Sequence, residues 1–281
     1  MNLLEKKMVE QLKELKEKHC CAGVKMEFEA EGTRIEEAMR LKEISLKAGL
    51  DLTVKIGGCE AIKDMFEAGS LGTKHLVAPM VESAYALKKY LGAVKIAFTE
   101  EQRNDMEFLI NLETITACNN FDEMLKIPEI DQLAGVVIGR VDLTGSMDLD
   151  RNSVNGSEIL GISMKMAVKA KAKGLKVVVG GAVSVHSVPF FKEFPKGHLD
   201  RFETRKVVFQ CPEAISNRED AYLKAVEFEI SWLKNKKDHY ERIHREDDVR
   251  LAMMEERYHR SIEAMREAPD AARLLQPREF Q

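Results

Sequence analysis

At 281 residues, 44% of them apolar, the chain has the length and core-forming content of one large domain or two small ones. Its 43 basic and 47 acidic side chains leave a net charge of -4. That balance makes no case for a nucleic-acid or polyanion surface and points to a small-molecule ligand. No apolar run approaches a membrane span. Cys20, Cys21, Cys59, Cys118 and Cys211 are odd in number and lack zinc-ligand or redox spacing, so the expectation is a reduced, cytoplasmic protein.

The opening stretch MNLLEKKMVEQLKELKEKH sets Leu4, Met8, Leu12 and Leu15 at helical spacing among charges. It reads as an amphipathic helix and lacks the apolar core and cleavage site of a signal peptide. From there, β-rich runs alternate with helical segments. Strands are expected at Val24 to Phe28, Leu52 to Ile56, His75 to Pro79, Val94 to Phe98, Phe108 to Glu113, Val136 to Val141, Lys176 to Gly180 and Phe202 to Phe209. Among the connections, Thr33 with Glu36 has the form of a capping box, and Gly49, Gly69, Gly72 and Gly174 stand as helix stops. A short helical pattern runs from near Asn119 to Pro128, and the segment between Phe98 and Phe108 has few apolar positions for a helix.

Eight strands alternating with helices predict a closed (β/α)8 barrel over an open doubly wound sheet. The first strand has no GxGxxG after it, which argues against dinucleotide binding. Beyond Cys211-Pro212, Asn217 to Lys236 reads as the helix that closes the barrel. Leu251, Met254, Tyr258, Ile262 and Met265 then form a second apolar stripe. The expected division is a barrel domain over residues 1–236, including the N-terminal helix, and a charged helical extension over 237–281. That extension either packs on its own barrel or exchanges with a neighbouring subunit.

Reactive groups in such barrels sit at the C-terminal ends of the strands. There the sequence delivers Glu27 and Glu29, Lys55, Pro79, Glu113, Arg140 with Asp142, and Glu203 with Arg205. Glu113 and Asp142 end two strands joined by a helix, so both carboxylates share one edge of the sheet. Two readings stand equal at this point: helix capping, and a site for a hard divalent cation. Lys55 suits an ion pair as well as catalysis, and Glu203 with Arg205 suits a buried pair.

The stretch LETITACNNFDEMLKIPEIDQLAGVVIGRVDLTGS resembles the metal-binding half of the HpcH/HpaI aldolase and citrate lyase family, within the phosphoenolpyruvate and pyruvate superfamily of barrels. TVKIGGCEAIKDMFEAGSLGTKHLVAPMVES is similar to the part that precedes it. The resemblance implies that Glu113 and Asp142 bind Mg²⁺ or Mn²⁺, with Gly139, Arg140 and Pro79 shaping a substrate carboxylate pocket. It implies a carbon-carbon lyase or aldolase acting on a 2-oxo acid or citrate-like acyl substrate through an enolate, in a homo-oligomer built through C-terminal helices. Lys55 stands where the family usually has an arginine, and KMEFEAEGTR lacks the family's histidine. Lys55 then becomes the enolate's electrostatic partner, Glu27 or Glu29 the base, and Arg34 and Arg205 the candidates for a distal acidic group. The alternative is a catalytically altered barrel that binds a metabolite or serves assembly, with no nucleic-acid or membrane partner in either case.

Overall fold

The computed structural model describes residues 1–216 and 220–267. The chain separates into two units, Met1–Trp232 and Leu233–Gln281.

In the first unit, Asn2 and Glu5 form a reciprocal cap that starts helix α1 (Leu3–His19). Met8, Leu12 and Leu15, one turn apart, are wholly buried by it. Seven strands then run parallel: β1 (Cys21–Glu27), β2 (Asp51–Lys55), β3 (His75–Ala78), β4 (Glu107–Leu112), β5 (Gly135–Gly139), β6 (Lys176–Gly180) and β7 (Arg201–Glu203). An eighth, β8 (Val207–Gln210), is antiparallel to both β7 and β1 and closes the barrel between them. Helices α2 (Ile35–Lys47), α3 (Ile62–Ser70), α4 (Ala84–Ala97), α5 (Glu100–Asp105), α6 (Ile115–Met124), α7 (Arg140–Gly145), α8 (Ser157–Ala172), α9 (Val188–Lys192) and α10 (Glu213–Ser216) lie between or after the strands.

The expected barrel is present, and two of its strands differ from expectation. Val94 to Phe98 is the end of α4, not a strand. Leu87, Tyr90, Leu91 and Val94 recur at helical spacing and are buried, while Ile96 is 72% exposed, which a strand's alternation would not produce. Phe202 to Phe209 is two strands, a hairpin turning at Thr204, Arg205 and Lys206. Helix α6 begins at Ile115 behind the N-cap Thr114, ahead of the expected start, and Thr33 caps nothing because α2 starts after Arg34. The weak segment after Phe98 holds α5, started by a Thr99–Gln102 capping box.

Strand residues two apart point into the barrel. Val77, Leu109, Val137 and Val178 form an apolar layer across its middle. Below it, at the strands' N-terminal ends, Glu107 binds Lys176, Arg201 at 3.3 Å and His75 at 3.5 Å. Above it, toward the C-terminal ends, the inward positions are polar, and the candidate site lies there.

Helix α11 (Asp220–Glu267) starts in the first unit and continues through the described part of the second. The expected start of this segment, residues 217–219, lies outside the described residues. In the second unit Leu251, Met254, Tyr258 and Met265 are all more than half exposed. Among the described residues no helix is long and apolar enough to cross a membrane.

Candidate active site

A cavity of about 440 Å³ opens above the valine and leucine layer, and Lys25, Glu27, Glu29, Lys55, Glu113 and Asp142 are among its lining residues. Two lysines organise the charges. Lys25, from β1, lies 2.5 Å from Glu203 and 3.0 Å from Glu27. Burial works against its charge, but the two carboxylates outweigh burial and hold its pKa above that of a free lysine. Lys55, at the end of β2, lies 2.7 Å from Glu29 and 3.3 Å from Glu113, and these carboxylates likewise raise its pKa against the opposing effect of burial. Both lysines are therefore ammonium ions at neutral pH, unsuited to attack a carbonyl as free amines.

Glu113 follows β4 and is 1% exposed. Its Oε2 accepts from Asn111 Nδ2 at 2.6 Å and from Lys55, and its Oε1 accepts the Met80 N–H at 3.0 Å. To present that N–H, Met80 sits at φ 50, in the left-handed region unfavourable for its side chain. Room for the carboxylate comes from Gly139, where an added Cβ would lie 2.7 Å from Glu113 Cβ. Gly180 does the same for Glu203, with an added Cβ 3.1 Å from its Oε1. By lacking side chains, Gly139 and Gly180 thus give Glu113 and Glu203 the space they occupy.

Asp142 lies in the first turn of α7 beside Glu113. Its carboxyl is raised above the usual range by burial first, then by the Glu113 charge and a hydrogen bond with it. Asp142 has the first-turn place that suits an acidic residue at a helix N-terminus, but neither carboxylate makes a side-chain cap. The cap of α6 is the Thr114 hydroxyl, which accepts from Ala117 N at 3.1 Å, and α7 begins at Gly139 without a side-chain cap.

Two converging carboxylates whose charges oppose each other suit a hard cation, which would relieve the repulsion that lifts Asp142. The Asn111 carbonyl oxygen points the same way: it is buried, lines the cavity and has no hydrogen-bond partner. No group of three or more His, Cys, Asp and Glu with metal-holding geometry occurs among the described residues. A cation here would find two carboxylates and a neutral oxygen, with the remainder left to water and ligand, as Mg²⁺ commonly accepts.

Of the other expected site residues, Gly139 and Arg205 line this cavity, and Arg205 faces Glu31 at 3.8 Å. Glu27 is a poor base here. Burial would raise its carboxyl, but the Lys25 charge and hydrogen bond bring it below the usual range. Arg140 does not line the cavity. It is fully buried, donates to Gly180 O at 3.1 Å, Gly181 O at 2.7 Å and Asn155 Oδ1 at 2.6 Å, and rests on the rings of Phe190 and Phe191. Arg34, paired with Glu37 at 3.6 Å, and Pro79 lie outside the cavity lining. Sequence reasoning missed Lys25 and Asn111. The signal for Asn111 is its place in β4 two residues before Glu113, where an extended chain turns both side chains to one face.

The model of the HpcH/HpaI aldolase/citrate lyase family matches residues 34–187, more than half of the chain. The chain belongs to that family. Its fold is also that of solved structures with low sequence identity. An HpcH/HpaI aldolase from Desulfitobacterium hafniense DCB-2 superposes with a TM-score of 0.53 at 13% identity, covering 64% of this chain and 75% of that one. The citrate synthase SbnG gives 0.54 at 12%, covering 77% and 85%. A family protein from Burkholderia cenocepacia J2315 gives 0.53 at 11%, covering 79% and 84%. A search of curated proteins found no match. The family places the chain among enzymes of the aldolase and lyase type.

Proposed function

We propose that the chain is a carbon-carbon lyase or aldolase for a 2-oxo acid or citrate-like acyl substrate, working through an enolate and requiring Mg²⁺ or Mn²⁺. The observation that carries this reading is that Glu113 and Asp142 line one cavity at the mouth of the barrel, where burial first and then the Glu113 charge raise the Asp142 carboxyl. Glu113 and Asp142 would hold the ion, which when bound supplies a hard Lewis acid for a carbonyl oxygen. Lys55, kept charged by Glu113 and Glu29, places a positive charge where an enolate oxygen develops. It does so as a point charge, without the two-pronged grip of an arginine. Both first-strand carboxylates are paired with a lysine, and Glu29 is the proposed proton acceptor because its side chain is the more exposed to the cavity. Gly139, by seating Glu113, sets the position of the metal-holding carboxylate, and Arg205 lines the cavity.

The test is proton exchange at the pyruvate methyl group, followed by NMR with Mg²⁺ present. Exchange is expected in the wild type and should vanish in Glu113→Gln. A wild-type protein that neither exchanges those protons nor binds Mg²⁺ in a titration would instead be a barrel without turnover. We also propose that copies of the chain associate through α11, because its stripe at Leu251, Met254 and Tyr258 is exposed. A monomer by light scattering at micromolar concentration would refute that.

A further inference from the structure

A cavity of about 530 Å³ lies at the other end of the barrel, by the N-terminal ends of β2, β3 and β4. Asp51 opens β2, Thr73 and Lys74 precede β3, and Met106 precedes β4, while Glu101 and Asp105 come from α5. All six line it, and none of its lining is shared with the cavity of Glu113 and Asp142. Its volume is that of a small-molecule site and far exceeds that of a lone ion.

The charges along its wall are unequal. Three carboxylates stand against one lysine, and that lysine is already engaged. The Lys74 ammonium donates to the Asp105 carboxylate at 2.8 Å and to the Asp105 carbonyl. Lys42, on α2, donates to Gly72 O at 2.8 Å. The carboxylates of Asp51 and Glu101 are exposed and make no hydrogen bond or ion pair with any described residue. A concave surface with this excess of negative charge concentrates cations.

Negative charge alone would describe an ordinary solvated face. Thr73 sets this cavity apart. It is 4% exposed, and its hydroxyl has no hydrogen-bond partner, although its N–H donates to Ala68 O at 3.2 Å. The buried hydroxyls of Thr53 and Tyr90 are satisfied, by His75 Nδ1 at 3.3 Å and Leu76 O at 3.1 Å. Leaving a buried hydroxyl unpaired costs about 1–3 kcal/mol. On the wall of a cavity, such a group marks the place where a ligand completes the bonding.

We infer that this cavity binds a small organic cation of the aliphatic diamine class. Its two ammonium groups face Asp51 and Glu101, and one of them donates to the Thr73 hydroxyl. The site is separate from the proposed lyase reaction and does not depend on it.

The test is an NMR titration of the full chain with putrescine, and with butanediol as its uncharged counterpart of equal length. Putrescine should give saturable shifts of the Gly72, Thr73 and Gln102 amides, and butanediol none. Asp51→Asn and Glu101→Gln, both at exposed positions, should each weaken binding roughly fivefold, and the near-isosteric Thr73→Val roughly threefold or more. Lys126→Gln, a surface control, and Glu113→Gln should both bind as the wild type does, so failure of the lyase reading leaves this inference standing. No saturable shift below about 10 mM putrescine, shifts confined to the Glu113 cavity, equal binding of butanediol, or unchanged affinity in any of the first three variants would each overturn it. Displacement of putrescine by an equal concentration of Mg²⁺ would do so too, by making the site a metal site.

Discussion

Substituting Gly139 with alanine tests the geometry of the site without touching a charge. Gly139 has φ -89, so alanine meets no conformational penalty there and any cost is steric. The new Cβ would lie 2.7 Å from Glu113 Cβ and 3.0 Å from its Oε2. The first of these contacts involves an atom fixed to the backbone, so rotating the Glu113 side chain cannot relieve it. Overpacking of this kind costs about 1–3 kcal/mol. For a chain of this length the urea midpoint should fall by roughly 0.3–1 M. In a Glu113→Gly background the nearest remaining Glu113 atom is Cα at 3.7 Å, an ordinary contact. There the same substitution should cost no more than about 0.5 kcal/mol. Urea unfolding of the four proteins in this cycle measures the difference directly. An equal cost in both backgrounds, or a cost below about 0.5 kcal/mol in the wild type, would refute the argument that Gly139 exists to seat Glu113. The alanine variant should also lose pyruvate proton exchange, because Glu113 must shift.

Lys55→Met should destabilise the fold by about 3–5 kcal/mol in the same unfolding assay, since it leaves the buried Glu113 without its cation, whereas Lys55→Arg should cost less. Burial, and then the nearby Arg201 charge, lower the pKa of His75 from 6.5 to about 4. Unfolding lets His75 take up a proton, so its contribution is fully present above pH 6.5 and declines as pH falls toward 4. His75→Gln should flatten the stability profile across that interval, measured by Tm against pH. Arg140→Met should lower Tm in thermal unfolding by removing donors to Gly180, Gly181, Val154 and Asn155.

Sequence pattern discloses most of this barrel where a strand is a bounded apolar run. GVVIG and KVVVG, each buried along almost its full length, leave no other reading. It fails where two periods overlap. In AVKIAF, alternation at Val94, Ile96 and Phe98 mimics a strand, while the helical period set by Leu87, Tyr90 and Leu91 reaches only Val94. In FETRKVVF, the polar run Glu203 to Lys206 holds the turn, which contains no Gly, Pro or Asn to announce it. The two errors offset each other in the strand count. At the site, Glu113 and Asp142 are legible because each follows closely on an apolar strand, Glu113 directly after β4 and Asp142 three residues after β5. Arg140 occupies an equally conspicuous position, and only the folded structure shows that backbone carbonyls consume its donors.

The reversed eighth strand bears on the order in which the barrel is assembled. While the chain emerges from a ribosome, β1 to β7 can pair in succession, each with the strand before it. The free side of β1 has no partner until β8 appears, since Cys21 pairs with Phe209 and Val24 with Val207. Some two hundred residues are thus synthesised while β1 remains an open sheet edge, a template for mispairing with other chains. The hairpin shortens the last delay. Once β7 is in place, β8 follows after a three-residue turn, so closure waits for a local event and not for another crossover helix. A ribosome stalled before Phe209 should therefore hold an aggregation-prone open sheet, and one stalled a few tens of residues later a closed barrel.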